Sequence, residues 1–158
     1  MPRKTTKALI RPKLPDRKYN NEMVQRLINR VMQDGKKQLA ERLVYEGIEK
    51  AAKKVKSEDP LDVFEKAIKN VTPFMETRSR RVGGANYQIP FEVKGQRQKH
   101  LTIMWFVAAA RSKKGMGMSD RIAAELADAY NQTGTAFKKK EDTHKMAEAN
   151  KAFAHYKW

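Results

Sequence analysis

Apolar residues recur at helical spacing along most of this chain, and one stretch breaks that rhythm. Met23, Leu27 and Val31, widened by Val24 and Ile28, form a first stripe. Asn20 or Asn21 before it can cap free backbone N–H groups, and Gly35 reads as the stop. A second helix is expected from about Lys36 to Val55. It would turn Leu39, Leu43, Ile48, Ala51 and Val55 inward and Lys37, Arg42, Lys50, Lys53 and Lys54 outward. Asp59 as cap and Pro60 at the first helical position open a third, with Leu61, Phe64 and Ile68 on its face. A fourth, expected to be the most buried, runs from about Gln96 to Ser112. Leu101, Met104, Trp105 and Ala108 share its face, and Ile103 and Val107 broaden it. Ser119 or Asp120 caps a fifth, which carries Ile122, Leu126, Ala129 and Tyr130 and is closed by Gly134. A last helix is expected from Asp142 or Thr143, with Met146, Asn150 and Phe153.

Between the third and fourth helices, at about residues 74–94, the period falls to two. Pro73 ends the helix, and Phe74 and Met75 are expected to anchor a ribbon base. Gly83-Gly84 supply the positive φ angles of a tight reversal. Arg78, Arg80 and Arg81 stand where a buried strand would want Val or Ile, so this hairpin must project toward something anionic. Pro90 is tolerable because both strands of a ribbon are edges. An isolated two-stranded ribbon is marginal in water, so it is expected to move when free and be fixed when bound. The expected fold is mainly α: a single-domain six-helix bundle with an inserted two-stranded β-hairpin arm. Residues 1–18 form a basic N-terminal arm, broken by Pro2, Pro12 and Pro15, and residues 19–158 the helical domain.

Charge sharpens the expectation. The 158 residues hold 34 Lys+Arg against 18 Asp+Glu, a formal net charge of +16, which calls for a polyanionic partner. There is no cysteine, which excludes disulfides, thiolate catalysis and cysteine-held zinc. No apolar run approaches bilayer length. Arg11, Pro12 and Lys13 interrupt any apolar core of a secretion signal, and a cytosolic protein is the simplest expectation.

Enzymatic chemistry finds no footing. His144 lies near Glu141 and Asp142 but lacks metal-ligand spacing, so a solvated or capping role is expected. Gly35-Lys36-Lys37 echoes the end of a phosphate-binding loop, yet Arg30 stands where that loop needs a glycine. The expectation is a non-enzyme without cofactor, metal or small-molecule substrate.

Arg3, Lys4, Lys7, Arg11, Lys13, Arg17 and Lys18 in the arm, Lys36 and Lys37, and the ribbon arginines are the candidate phosphate contacts. Trp105 belongs to the core. Tyr87 could pack at the ribbon base or face a nucleic acid, and Tyr156 and Trp158 are open between core and contact. Lys138-Lys139-Lys140 is open between a solvated stretch and phosphate contact. An architectural DNA-binding protein has the same charge and ribbon and is the alternative function. A membrane-surface protein ranks low, because no helix joins a basic face to Trp-rich flanks.

The segment Arg80-Arg81-Val82-Gly83-Gly84-Ala85-Asn86-Tyr87-Gln88-Ile89-Pro90 resembles the signature of the small-subunit ribosomal protein seven family. So do Leu27-Ile28-Asn29-Arg30 with Asp34-Gly35-Lys36-Lys37, and the tail from Lys139 to Tyr156. The resemblance is to the bacterial branch, with chloroplast members close, so the chloroplast stroma stands beside the cytoplasm as a compartment. It implies a six-helix bundle with a ribbon arm. It implies a primary binder of ribosomal RNA that nucleates the small-subunit head, among neighbouring head and platform proteins. It further implies that the ribbon tip (Gly83, Gly84, Ala85, Asn86) and the C-terminal helix lie near messenger RNA and the exit-site transfer RNA.

Overall fold

Local capping decides where the first and third helices begin. In the computed structural model, which describes residues 14–156 (for Val82 the backbone alone), α1 spans Glu22–Val31 and α3 spans Pro60–Val71. The side chain of Asn21 accepts from the Met23 N–H, and that of Asp59 from the Leu61 N–H. Between them lies α2, Lys37–Val55. The hairpin follows as β1, Met75–Val82, and β2, Ala85–Glu92. Then come α4 (Gly95–Ser112), α5 (Met118–Tyr130), α6 (Gly134–Ala149) and a 3-10 helix, Lys151–Tyr156. Among the described residues this is the expected mainly α fold, six α-helices and one ribbon.

The strands pair antiparallel from Met75 opposite Glu92 to Val82 opposite Ala85, leaving a two-residue loop. Gly83 and Gly84 take φ of 58° and 90°, the left-handed pair such a loop demands. The core gathers α1 to α5 around fully buried Leu27, Ile28, Val44, Ile48, Phe64, Phe106, Ile122 and Leu126. A smaller cluster of Val93, Leu101 and Trp105 lies apart from it, with Met104 packed against it.

Several boundaries and faces differ from expectation. α1 stops at Val31, not Gly35, because Met32 turns extended, and Asp34 and Gly35 instead make a left-handed turn. The inward face of α2 is Ala40, Val44, Gly47, Ile48, Ala51 and Ala52, while Leu39 is exposed. Small residues face inward because α2 approaches α5 so closely that a Cβ on Gly47 would stand 2.7 Å from Ile122 Cγ2. Ala108 is exposed and Phe106 buried, a shift of face on α4.

Ser119 and Asp120 do not cap α5; Gly117 precedes it, and both side chains hold the Lys50 ammonium, at 3.1 and 2.7 Å. Gly134 opens α6 instead of closing α5. The sixth helix starts there, well before Asp142, because its first turn is capped from outside: Glu125 Oε1 accepts the Ala136 N–H at 2.9 Å. A cap donated by another helix leaves no local sequence signal. The Phe74 side chain is 61% exposed, so Phe74 holds the ribbon base through its backbone, its N–H donating to His144 and its O accepting the Val93 N–H, while Ile89, Pro90 and Glu76 supply the burial there.

Candidate nucleic-acid interface

Alternation along β1 puts Glu76, Arg78 and Arg80 on one face of the ribbon and Arg81 on the other. The three arginines are therefore two groups. Arg78 and Arg80 both lie over the Phe91 ring, 5.2 and 5.7 Å from its centroid. Arg81 is exposed opposite Asn86. The tip residues Gly83, Gly84, Ala85 and Asn86 are all exposed, and a Cβ added to either glycine would meet nothing within 4 Å.

The ribbon does not stand alone: α6 and the 3-10 helix pack against it. Tyr87 packs against Phe153 and Tyr156 of the 3-10 helix, with ring centroids 5.1 and 5.4 Å apart. Thr77 approaches the Met146 sulfur of α6 at 3.5 Å. His144 of α6, half-buried, accepts the Phe74 N–H at 3.0 Å. These contacts settle Tyr87 as a packing residue and occupy one side of Tyr156.

A second group of cations stands at the start of α4, and the sequence reading overlooked it. Arg97 and Lys99 sit in the first turns of that helix, where the backbone dipole disfavours positive charge and no acidic residue relieves it. The relief comes from other elements. Glu22 of α1 accepts Lys99 Nζ at 2.8 Å and Arg26 Nη2 at 2.7 Å. The Lys99 hydrogen bond, then that of Arg26, holds the Glu22 carboxyl down at about 2. Glu76 of β1 accepts Arg97 Nη2 at 3.0 Å and Arg78 Nε at 2.7 Å. Burial alone pushes the Glu76 carboxyl up, but the bonds from Arg78 and Arg97 outweigh it and leave it below its ordinary range. Cations in an N-terminal turn break a local rule, and that was the available signal.

The remaining candidates divide. Lys36 and Lys37 are exposed at the α1–α2 turn, where Lys36 shares a groove with Arg111 and Arg121. Arg17 is exposed, whereas Lys18 pairs with Glu49 and lies 5.4 Å from the Tyr19 ring centroid. Buried Asp16 ties residues 16–21 to the bundle by accepting from the N–H groups of Lys18, Tyr19 and Asn21 and from the Tyr45 hydroxyl. Lys138 and Lys139 are exposed within α6, but Lys140 Nζ donates to Asn70 O at 2.7 Å. Arg3, Lys4, Lys7, Arg11, Lys13 and Trp158 lie outside the described residues. Among the described residues no His, Asp and Glu group is placed to hold a metal ion, and no helix is long and apolar enough to cross a membrane.

A helical bundle this basic, with an arginine-bearing ribbon raised from one edge, is built as a scaffold for binding a polyanion. Sequence relationships narrow the class. The family model for ribosomal protein S7p/S5e matches residues 2–151. The chain is 59% identical over 148 residues to the small ribosomal subunit protein uS7 of Nautilia profundicola, covering 94% of this chain and 95% of the relative. It is 55% identical over 152 residues to the uS7 of Kosmotoga olearia (96% and 97%), and 49% over 148 residues to that of Protochlamydia amoebophila (94% of each). The chain belongs to the ribosomal protein S7p/S5e family, in its bacterial form, and is a structural, non-enzymatic protein.

Proposed function

We propose that the chain is a constituent of the small ribosomal subunit in the cytoplasm, where it binds ribosomal RNA directly and nucleates folding of the subunit head. The observation that carries this reading is the exposed arginine ribbon beside the cationic start of α4. Phosphate contacts from Arg78, Arg81, Arg97 and Lys99 supply affinity and register, and RNA shape supplies selectivity. Arginine suits the ribbon, because its planar fork can engage phosphate on one edge while another group holds the opposite edge. The open tip, Gly83 to Asn86, and the end of α6 face the messenger and exit-site transfer RNA, and neighbouring head and platform proteins complete the surroundings.

Filter binding to a small-subunit ribosomal RNA transcript tests this across a salt series, with duplex DNA as competitor. Affinity falls steeply with salt, and the combined Arg78, Arg80 and Arg81 to Ala variant shows a log–log slope shallower by about 2. Salt-independent binding, or a preference for DNA duplex, overturns the reading. A photo-crosslinker at Asn86 then reports whether transfer RNA lies at the tip in assembled subunits.

A further inference from the structure

We propose that Glu76 is a positioning residue, which holds Arg78 and Arg97 as a paired guanidinium clamp for one crowded phosphate site. The proposal rests on the RNA-binding reading above.

Glu76 is 6% exposed, while the arginine side chains on either side of it are about half exposed, at 55% and 52%. Its oxygens are divided between them. Oε1 accepts from Arg78 Nε at 2.7 Å and also pairs with Arg78 Nη2. Oε2 accepts from Arg97 Nε at 3.1 Å and Nη2 at 3.0 Å. One edge of each fork is thereby occupied, and the N–H groups of the other edge remain for a phosphate. Phe91 lies under Arg78, so that guanidinium is held both at its edge and over a ring face.

The two arginines come from different elements, β1 and α4, and no local geometry would bring them together. Two like charges gathered at one place repel, and Arg97 is further disfavoured by its helix terminus. A single buried carboxylate offsets both effects and removes the rotamer freedom that two long side chains would otherwise lose on binding. Fixing both in advance corresponds to about tenfold in affinity.

The sign of one substitution separates this role from plain electrostatics. Glu76→Gln raises the net charge by one unit. If Glu76 acted only as a charge, the variant would bind RNA more tightly. Positioning predicts the reverse: the dissociation constant for the small-subunit ribosomal RNA transcript rises about tenfold. In an Arg78→Ala/Arg97→Ala background the same Glu76→Gln change has no further effect. An Arg78→Lys/Arg97→Lys variant, which keeps the charge and loses the forks, also weakens binding. Three results overturn the proposal: Glu76→Gln binding as well as or better than the parent, its effect persisting in the double-alanine background, or the lysine pair binding like the parent. If the parent chain itself ignores the transcript, the RNA-binding reading falls first, which is a distinct result.

Discussion

His144 Nε2 accepts the backbone N–H of Phe74 at 3.0 Å, joining α6 to the residue before β1. An imidazole can accept only when neutral. Burial, and then the Lys140 charge, hold its pKa below the ordinary 6.5. Glu92, Glu148 and Lys151 line the same cavity and set the remaining local charge. Because the folded pKa is depressed, the unfolded chain binds the extra proton first. The stabilisation is therefore complete above pH 6.5 and is lost as pH falls through the folded pKa. We expect the seam between α6 and the ribbon to weaken by at most about 1 kcal/mol in mildly acidic solution, the net value of one hydrogen bond. Amide exchange at Phe74 should quicken in step with His144 protonation. In His144→Gln, which can accept without titrating in this range, that pH dependence should vanish; its persistence would reject the link.

Gly47 sits where α2 crosses α5. A Cβ there would stand 2.7 Å from Ile122 Cγ2 and 3.1 Å from Ser119 O. Two effects compete in Gly47→Ala. Helix propensity favours alanine by about 1 kcal/mol. Overpacking against a β-branched side chain and a backbone oxygen costs about 1–3 kcal/mol. The clash should win, and the urea midpoint should fall by the equivalent of up to about 2 kcal/mol with helix content intact. A midpoint above that of the parent would show that the seam can open without cost.

Gly84 poses the opposite problem. Space is free around it, but φ is +90°, a conformation a β-branched residue adopts only under strain. Gly84→Val should distort the two-residue loop and the pairing next to it. The bundle should melt within a few degrees of the parent, since the ribbon contacts the helices through Glu76, Thr77, Tyr87 and Ile89, not through the exposed tip. Loss of the whole far-UV transition would refute that separation.

What the sequence made legible was whatever local chemistry decides. The caps Asn21 and Asp59, the Gly83-Gly84 reversal and the burial of Trp105 all follow from a residue and its immediate neighbours. What it hid depends on other elements. α6 begins at Gly134 because Glu125 reaches across from α5 to cap it. Small residues line α2 because α5 presses against Gly47. Of the candidate interface, the arginines of β1 are plain from alternation, but the apolar pattern of α4 hides Arg97 and Lys99. Only the folded chain brings Glu76 and Glu22 to them. Lys140 and Lys18, equal to their neighbours in sequence, are distinguished by an acceptor far along the chain.

Glu125 is wholly buried, and its two oxygens face different partners, Oε1 the Ala136 N–H and Oε2 the Lys113 ammonium. Its charge is balanced by the Lys113 ammonium 3.2 Å away, which also binds Asp128 at 2.6 Å. Lys113 comes from the segment between α4 and α5, so this group ties that segment to the start of α6. Removing one partner of a buried pair strands the other charge and costs about 3–5 kcal/mol, more than the pair itself contributes. Lys113→Met should therefore destabilise strongly. Adding Glu125→Gln should recover most of the loss, because the amide oxygen can still accept from the Ala136 N–H while the stranded charge is gone. Denaturant melts of the single and double variants measure this directly. If the double variant is no more stable than Lys113→Met, the penalty lies in lost packing of the lysine stem, and the charge on Glu125 is not its source.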